Sequence, residues 1–373
     1  MNNIGGRSGY SDQRNNAGIQ CGRILKRIIE SILNQTEANF ELIIVNDGST
    51  DNSEDIILSY SDPRIVYVKQ ENAGEAAARN TALEHAKGEF IVWQDADDVS
   101  LPIRLEVLKR QFTSPSIGFT HSDMLLINDL NQPISYWQSR NISKERLLRL
   151  FLKIGTPFNN PSMMLRRKMI EGFKYDTSLR IGTDSDMVFQ LSRNWDSVHI
   201  PEPLVLYRRH SNNLTVQANF ADLDIVHVRK FLNSHGFEEF FPELNWENGS
   251  ASDSMAKACA LIGLFMARRC KMPEAEAWFE RAANLVSSID GNLFTRAMIG
   301  LVNGQPQMTV ELLNSCNTRD HVIENYIGEA AMQMGQLEEA FNHFMKALEF
   351  SPHYYDAMDN LKKLGQHIGL RLV

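Results

Sequence analysis

Glu89-Phe90-Ile91-Val92-Trp93-Gln94-Asp95-Ala96-Asp97-Asp98 decides how this chain is read. Glu89 to Trp93 reads as a buried strand, and three carboxylates follow it immediately. Burying one unpaired carboxylate is costly, so three together require a cation, a base or water to compensate. A hard divalent metal suits oxygen ligands of this kind. Mg²⁺ commonly binds through one or two carboxylates while substrate phosphates complete its shell. The alternative is an exposed acidic turn that caps a helix at Arg104 to Phe112.

Working outward, residues 40–209 alternate short apolar runs with amphipathic or turn-rich segments, an α/β pattern. Glu41 to Asp47 is predicted as a buried strand opening into Gly48-Ser49-Thr50-Asp51, whose side chains can cap the next helix. Ile65 to Lys69 is a second strand, the Ala-rich Gly74 to His85 a helix, and Glu89 to Trp93 the third strand. Ligands of open α/β sheets sit beyond the carboxyl ends of the strands, so Asp47 and the Asp95 to Asp98 cluster can face one ligand.

After about Ser250 the pattern becomes helical only. Gly263, Ala275, Phe279 and Ala282 recur as Gly328, Ala340, Phe344 and Ala347 at a constant offset close to two repeat lengths. This matches the tetratricopeptide pattern, in which small residues permit close helix packing and Phe fills the space between helix pairs. A degenerate unit is expected around Ala297 to Cys316, with Leu312 and Leu313 near its packing helix, and Tyr355 to Leu370 as a terminal cap. The alternative is an unrelated helical bundle with coincidental small residues.

Composition bounds the function classes. The 373 residues allow two or three domains, and the formal charge of −8 argues against a general nucleic-acid binder while leaving a bound nucleotide open. Cys21, Cys259, Cys270 and Cys316 show neither metal-ligand spacing nor the density of a disulfide framework, so a reducing cytosol is the simplest setting. No apolar segment approaches the ~20 residues that span a bilayer. A cytoplasmic protein is expected, with peripheral contact at the inner face of the membrane left open.

The ordered motifs Phe40 to Asp51, Glu71-Asn72-Ala73-Gly74 leading to Ala78-Arg79-Asn80, Lys87-Gly88-Glu89-Phe90 and Asp95-Ala96-Asp97-Asp98 resemble the family-two glycosyltransferases of GT-A fold. The resemblance covers about Ser31 to His210. It implies an α/β fold with an open mixed sheet flanked by helices, followed here by the all-α tetratricopeptide-like domain. It also implies transfer of a sugar, with inversion, from a nucleotide-diphosphate donor, favouring UDP, to a glycan, lipid or protein hydroxyl. Within it, Asp47 takes the place of the residue that contacts the base, and Arg79 that of an Arg in the donor pocket. Asp97 takes that of the ligand to Mn²⁺ or Mg²⁺, and Asp95 holds the ribose or a metal-bound water. Asp184, in Gly182-Thr183-Asp184-Ser185-Asp186-Met187, takes the place of the catalytic base, with Thr183 where Glu is usual and Asp186 as runner-up. In Tyr207-Arg208-Arg209-His210, His210 matches a further metal ligand and the basic residues approach the diphosphate.

Each residue also has a plainer reading. Asp47 can cap the next helix, Arg79 can form a surface salt bridge, and Asp184 and Asp186 can be first-turn acids favoured by the helix dipole. Asp98 can cap the helix after Pro102, His210 can be structural, and Trp137 and Trp195 can be core rather than sugar-stacking residues. The expected organisation is an atypical segment 1–22, a GT-A domain 23–235, a linker 236–250 and repeats 251–373.

One departure stands out. Members of the family begin with an apolar strand, whereas Gly5 to Asn16 shows neither alternation nor an apolar run, so no first strand is predicted before the helix Ile24 to Leu33. A parallel sheet without it would have unpaired edges beside the nucleotide pocket. Two other classes therefore stay open: a degenerate domain serving as a scaffold whose repeats bind a protein partner, and a nucleotidyltransferase, for which no Gly-rich basic phosphate loop is found.

Overall fold

The computed structural model describes residues 2–8, 18–179, 182–192, 194–209, 228–233, 235–247 and 251–369. The chain divides into two compact units, Met1–Phe151 with Gly155–His227, and Leu152–Ile154 with Val228–Val373. The division falls ahead of the expected linker 236–250, within which Phe237, Phe240 and Phe241 are buried.

In the first unit, nine strands among the described residues form one sheet: β1 (Asn2–Ser8), β2 (Phe40–Asp47), β3 (Ile65–Gln70), β4 (Phe90–Gln94), β5 (Val99–Ser100), β6 (Ile117–Ile127), β7 (Pro133–Trp137), β8 (Met163–Arg166) and β9 (Asp196–Arg208). Their order is β3-β2-β1-β4-β8-β6-β9-β5, with β7 paired to β6. The first four are parallel, β8 runs antiparallel between β4 and β6, and β9 is parallel to β6. This is the open mixed sheet of a GT-A domain. The helices of this part of the chain are α1 (Gly18–Leu33), α2 (Ser53–Leu58), α3 (Glu75–His85), α4 (Arg104–Arg110), α5 (Lys144–Ile154), α6 (Arg167–Ile170) and α7 (Thr183–Ser192). Every residue of β2 and β4 is buried, which is why both read as near-continuous apolar runs. Ile29 and Ile32 of α1 meet Leu42, Ile44 and Val92 of the sheet and Leu105 and Leu108 of α4 in one core.

The expected absence of a first strand is corrected. β1 lies between β2 and β4 and pairs with both, Gly5 opposite Ile43 and Trp93. Ladder bonds are made by the backbone, so two flanking parallel strands can order a segment whose own residue types are poor strand formers. The expected atypical run also includes residues 9–17, which lie outside the described residues. A second difference is β9, read from the sequence only as Leu204 to Tyr207. Pro201 and Pro203 disguise its first half. The structure accommodates them where the β6–β9 register shifts on both sides of Asp123, as prolines within sheets generally require.

Between β6 and β9 sits a buried polar cluster that no sequence pattern announces. His121 Nδ1 lies 2.8 Å from Ser139 Oγ and its ring stacks on His199, whose Nε2 is 2.7 Å from Asp123 Oδ1. Burial, aided by the neighbouring His199, pushes the His121 imidazole down to about 3 from 6.5. Between those values the unfolded chain binds a proton that the folded chain does not, so stability falls as pH falls. The expected loss attributable to His121 at pH 5 is about 2 kcal/mol. Denaturant unfolding at pH 5 and pH 7 checks it: the difference between the two should shrink by that amount in His121→Gln.

The second unit holds helices and no strand among its described residues. Three successive helix pairs, Ala251–Arg268 with Met272–Leu285, Ile289–Val302 with Pro306–Asn314 and His321–Gln333 with Leu337–Phe350, precede a last helix Tyr355–His367. A Cβ placed on Gly263 would lie 2.9 Å from the Phe279 ring, and one on Gly328 only 2.6 Å from Phe344. In the middle pair the backbone register sets Thr309 where Ala275 and Ala340 stand, with buried Ala297 and Leu313 at the places of the Gly and the Phe, which explains why that unit looks degenerate. Gly328→Ala should therefore cost about 1–3 kcal/mol by overpacking. Urea unfolding measures it, and an unchanged midpoint would contradict the packing described. No helix among the described residues is long and apolar enough to cross a membrane.

Candidate active site

The acid turn emerges at the carboxyl end of β4 and is braced from beneath. Gln94 donates its amide to the carbonyls of Asp95 and Asp98, at 3.1 and 2.9 Å, while its own oxygen accepts from Ser100 Oγ and Arg104 Nη1. Arg104 is fully buried and also donates to the carbonyls of Trp93 and Pro161. Burial lowers its pKa to about 10 even though Asp98 and Asp95 pull the other way. The turn is therefore held by a fixed cation and a neutral amide rather than left to flex, as a metal or phosphate site requires.

The turn is not simply exposed: Asp98 is completely buried, while Asp95 and Asp97 are half-buried. Nor does Asp98 cap the helix after Pro102: its Oδ1 accepts the backbone N–H of Arg208 at 2.8 Å, and its Oδ2 has no hydrogen-bond partner. Burial, with Asp97 and Asp95 alongside, raises its carboxyl well above the ordinary range. Asp95 keeps 35 % of its side chain exposed, yet burial of the remainder and the charges of Asp97, Glu75 and Asp184 push it up to about 7 against the pull of Arg79. Among the described residues no three His, Cys, Asp or Glu side chains form a ready-made metal cage. Asp95 and Asp97 offer oxygen alone, beside a buried, unpaired carboxylate oxygen. That donor set fits a hard cation whose shell substrate oxygens complete.

Arg79 is the hub of the opposite wall. It is buried, so the surface salt bridge is corrected. One guanidinium nitrogen donates to Thr183 Oγ1 at 2.9 Å, and the other lies 2.6 Å from Glu75 Oε1 and 3.9 Å from Asp95 Oδ1. The group also lies 5.7 Å from the Trp93 ring and 5.5 Å from that of Tyr175. Burial opposes its charge, but Glu75, Tyr175, Asp95 and Asp184 reverse the balance and raise its pKa. Thr183 thus gives Arg79 a neutral acceptor beside its ion pair with Glu75.

Asp184 stands half-buried in the first turn of α7 and acts electrostatically on Arg79, Asp95 and Tyr175. Asp186, two residues on, is buried and accepts from Gln190 Nε2 within the same helix. Asp47 is also buried, at the carboxyl end of β2. Its Oδ1 accepts from Gln70 Nε2 and the N–H of Ala73, and its Oδ2 from the N–H of Gly74. It therefore organises the turn into α3 and does not cap α2, the next helix along the chain. His210 lies outside the described residues.

Trp195 packs against Gly118 near the start of β6, where a Cβ would come within 2.4 Å of it, and Trp137 ends β7 opposite Met124. A cleft of about 990 Å³ lined by Lys87, Arg166, Lys168 and Phe173 lies at the amino-terminal end of β4, the edge opposite the acids. Sequence reading missed Glu75, Arg104 and Tyr175, quoted Gln94 without a role, and read Arg208 as approaching the diphosphate. Glu75 and Arg79 are four apart on one helix, a spacing that could have revealed their pairing. Tyr175 and Arg208 reach the site from far along the chain, and Arg104 carries no pattern of its own.

The family description "Glycosyl transferase family 2" matches residues 19–173. An uncharacterized glycosyltransferase of Methanocaldococcus jannaschii is 33% identical over 195 residues, 51% of this chain and 67% of that protein. A UDP-Glc:alpha-D-GlcNAc-diphosphoundecaprenol beta-1,3-glucosyltransferase of Escherichia coli is 36% identical over 122 residues, 32% of this chain and 48% of its own length. The chain thus spans about half to two thirds of the length of these curated relatives. Among solved structures, that of S. aureus TarS 1-349 with UDP aligns at a TM-score of 0.49 with 14% identity, over 90% of this chain and 92% of that one. With its first strand in place and its acids gathered at the carboxyl end of β4, this chain belongs to glycosyl transferase family 2.

Proposed function

We propose that the chain is an inverting glycosyltransferase that moves a sugar from a nucleotide-diphosphate donor, UDP by preference, to an acceptor hydroxyl with the help of Mg²⁺ or Mn²⁺. The observation that carries this reading is the assembly at the end of β4, where Asp95 stands beside Asp97 with Arg79, Glu75 and Asp184 around it. Asp97, with Asp95 as helper, would hold the cation, which when bound would supply neutralising charge for the departing diphosphate. Asp184 takes the proton from the attacking hydroxyl. Arg79, locked in place by Glu75 and Thr183, holds the donor side of the pocket.

Asp47 retains acceptor capacity for a base. A carboxylate offers about four lone-pair directions, and the contacts from Gln70, Ala73 and Gly74 occupy three. The remaining one suits the N3 proton of uracil. The E. coli relative, named for a UDP-glucose donor and a lipid-diphosphate acceptor, supports a UDP-sugar and adds weight to a lipid-linked acceptor. The helical unit, with its recurring Gly and Phe contacts, is read as a tetratricopeptide-like array that docks a partner or acceptor protein. The scaffold alternative rested on a missing first strand, and β1 removes that support.

A panel of UDP-sugars incubated with the full chain and Mn²⁺, read by release of UDP, tests the reading. Turnover of one donor, absent when the metal is chelated, is the expected result. No turnover of any nucleotide sugar, with or without acceptor extracts, would sink it.

A further inference from the structure

Arg208 closes β9 and is almost completely buried, at 2 % exposure. The resemblance of its segment to the family implies a basic residue that approaches the diphosphate, yet its contacts describe something else. Its Nε donates to the carbonyl of Asp97 at 2.9 Å, and its backbone N–H donates to Asp98 Oδ1 at 2.8 Å. On the far side, Nη1 donates to the carbonyl of Asn128 at 2.9 Å and Nη2 to Asn131 Oδ1 at 2.8 Å. Asn128 and Asn131 belong to the turn between β6 and β7, where Asn131 adopts a left-handed φ of 61° that places its side chain as a fixed acceptor. One guanidinium thus ties the outer side of the acid turn to a neighbouring hairpin, opposite the brace that Gln94 supplies from beneath.

We infer that Arg208 is a positioning residue for the divalent cation: by fixing the Asp97–Asp98 backbone it sets the geometry with which Asp97 engages the metal. The inference rests on the metal-assisted reading proposed above. Mg²⁺ tolerates little departure from ideal octahedral geometry, so a small shift of the turn weakens the bond more than it weakens the fold. Groups that orient metal ligands from behind typically change metal affinity about 10–100-fold when removed. A lysine does not replace Arg208, because a single ammonium cannot serve Asp97 and the hairpin in a fixed planar fork.

The test is calorimetric titration of Mn²⁺ into the full chain with UDP present, alongside titration of UDP without metal. Asn131→Gly is the cleaner variant, since glycine accepts the left-handed φ and only the Oδ1 acceptor is lost. About a threefold loss of Mn²⁺ affinity is expected for Asn131→Gly, and at least about tenfold for Arg208→Gln and Arg208→Lys, with metal-free UDP affinity unchanged. Should Arg208→Gln fail to fold, Asn131→Gly decides alone. Wild-type Mn²⁺ affinity in folded Asn131→Gly overturns the inference, as does equal weakening of metal-dependent and metal-free UDP binding. A wild-type chain that binds no Mn²⁺ in the presence of UDP overturns the underlying metal reading instead, and the inference falls with it.

Discussion

Asp184→Asn should lower turnover about 10²–10⁴-fold while leaving the affinity for UDP and the unfolding midpoint close to wild type. A general base contributes to the step in which the acceptor loses its proton and little to donor binding. The base proposed here, Asp184, stands at the start of α7, half-exposed and within the electrostatic reach of Asp95, Arg79 and Tyr175. Its neighbour Asp186 is buried and bonded to Gln190, so Asp186→Asn should lower stability more than turnover. The pair of variants discriminates sharply: single-turnover rates and UDP titrations on both would refute the assignment if Asp186→Asn stopped the reaction and Asp184→Asn did not.

Arg79→Met should destabilise the first unit by about 3–5 kcal/mol and abolish productive donor binding. The arginine is the buried cation that balances Glu75 and Asp95. Without it Glu75 loses its ion pair to Arg79, and Asp95 loses the charge that most lowers its pKa. Part of the stability should return in Glu75→Gln with Arg79→Met, because the double variant buries no uncompensated carboxylate at position 75. Urea unfolding of the two single variants and the double gives the coupling, and simple additivity would contradict the pairing.

The parts of this protein that were legible in its sequence are those whose physics is local. β2 and β4 declare themselves because strands covered on both faces must be apolar throughout, and the carboxylates after β4 stand out because such a run has no ordinary reason to end that way. The Gly and Phe spacing of the helical unit reflects contacts that the structure contains at Gly263 with Phe279 and Gly328 with Phe344. What stayed hidden is non-local. β1 is ordered by backbone pairing with strands roughly forty and ninety positions away, and β9 is disguised by prolines that a register shift absorbs. Of the braces of the acid turn, Gln94 and Arg104 act through neighbours within about ten residues but as polar residues without a pattern, and the purpose of Arg208 appears only when β4, β9 and the β6–β7 turn are brought together.

The central claim is that the acids at the end of β4 bind a nucleotide diphosphate through a divalent cation. Titration of UDP into the full chain, with and without Mn²⁺, tests it most directly when repeated on Asp97→Ala. Tight binding that needs Mn²⁺ in the wild type and is lost in the variant is the predicted result; UDP binding of equal strength with and without metal, unchanged in Asp97→Ala, would contradict it.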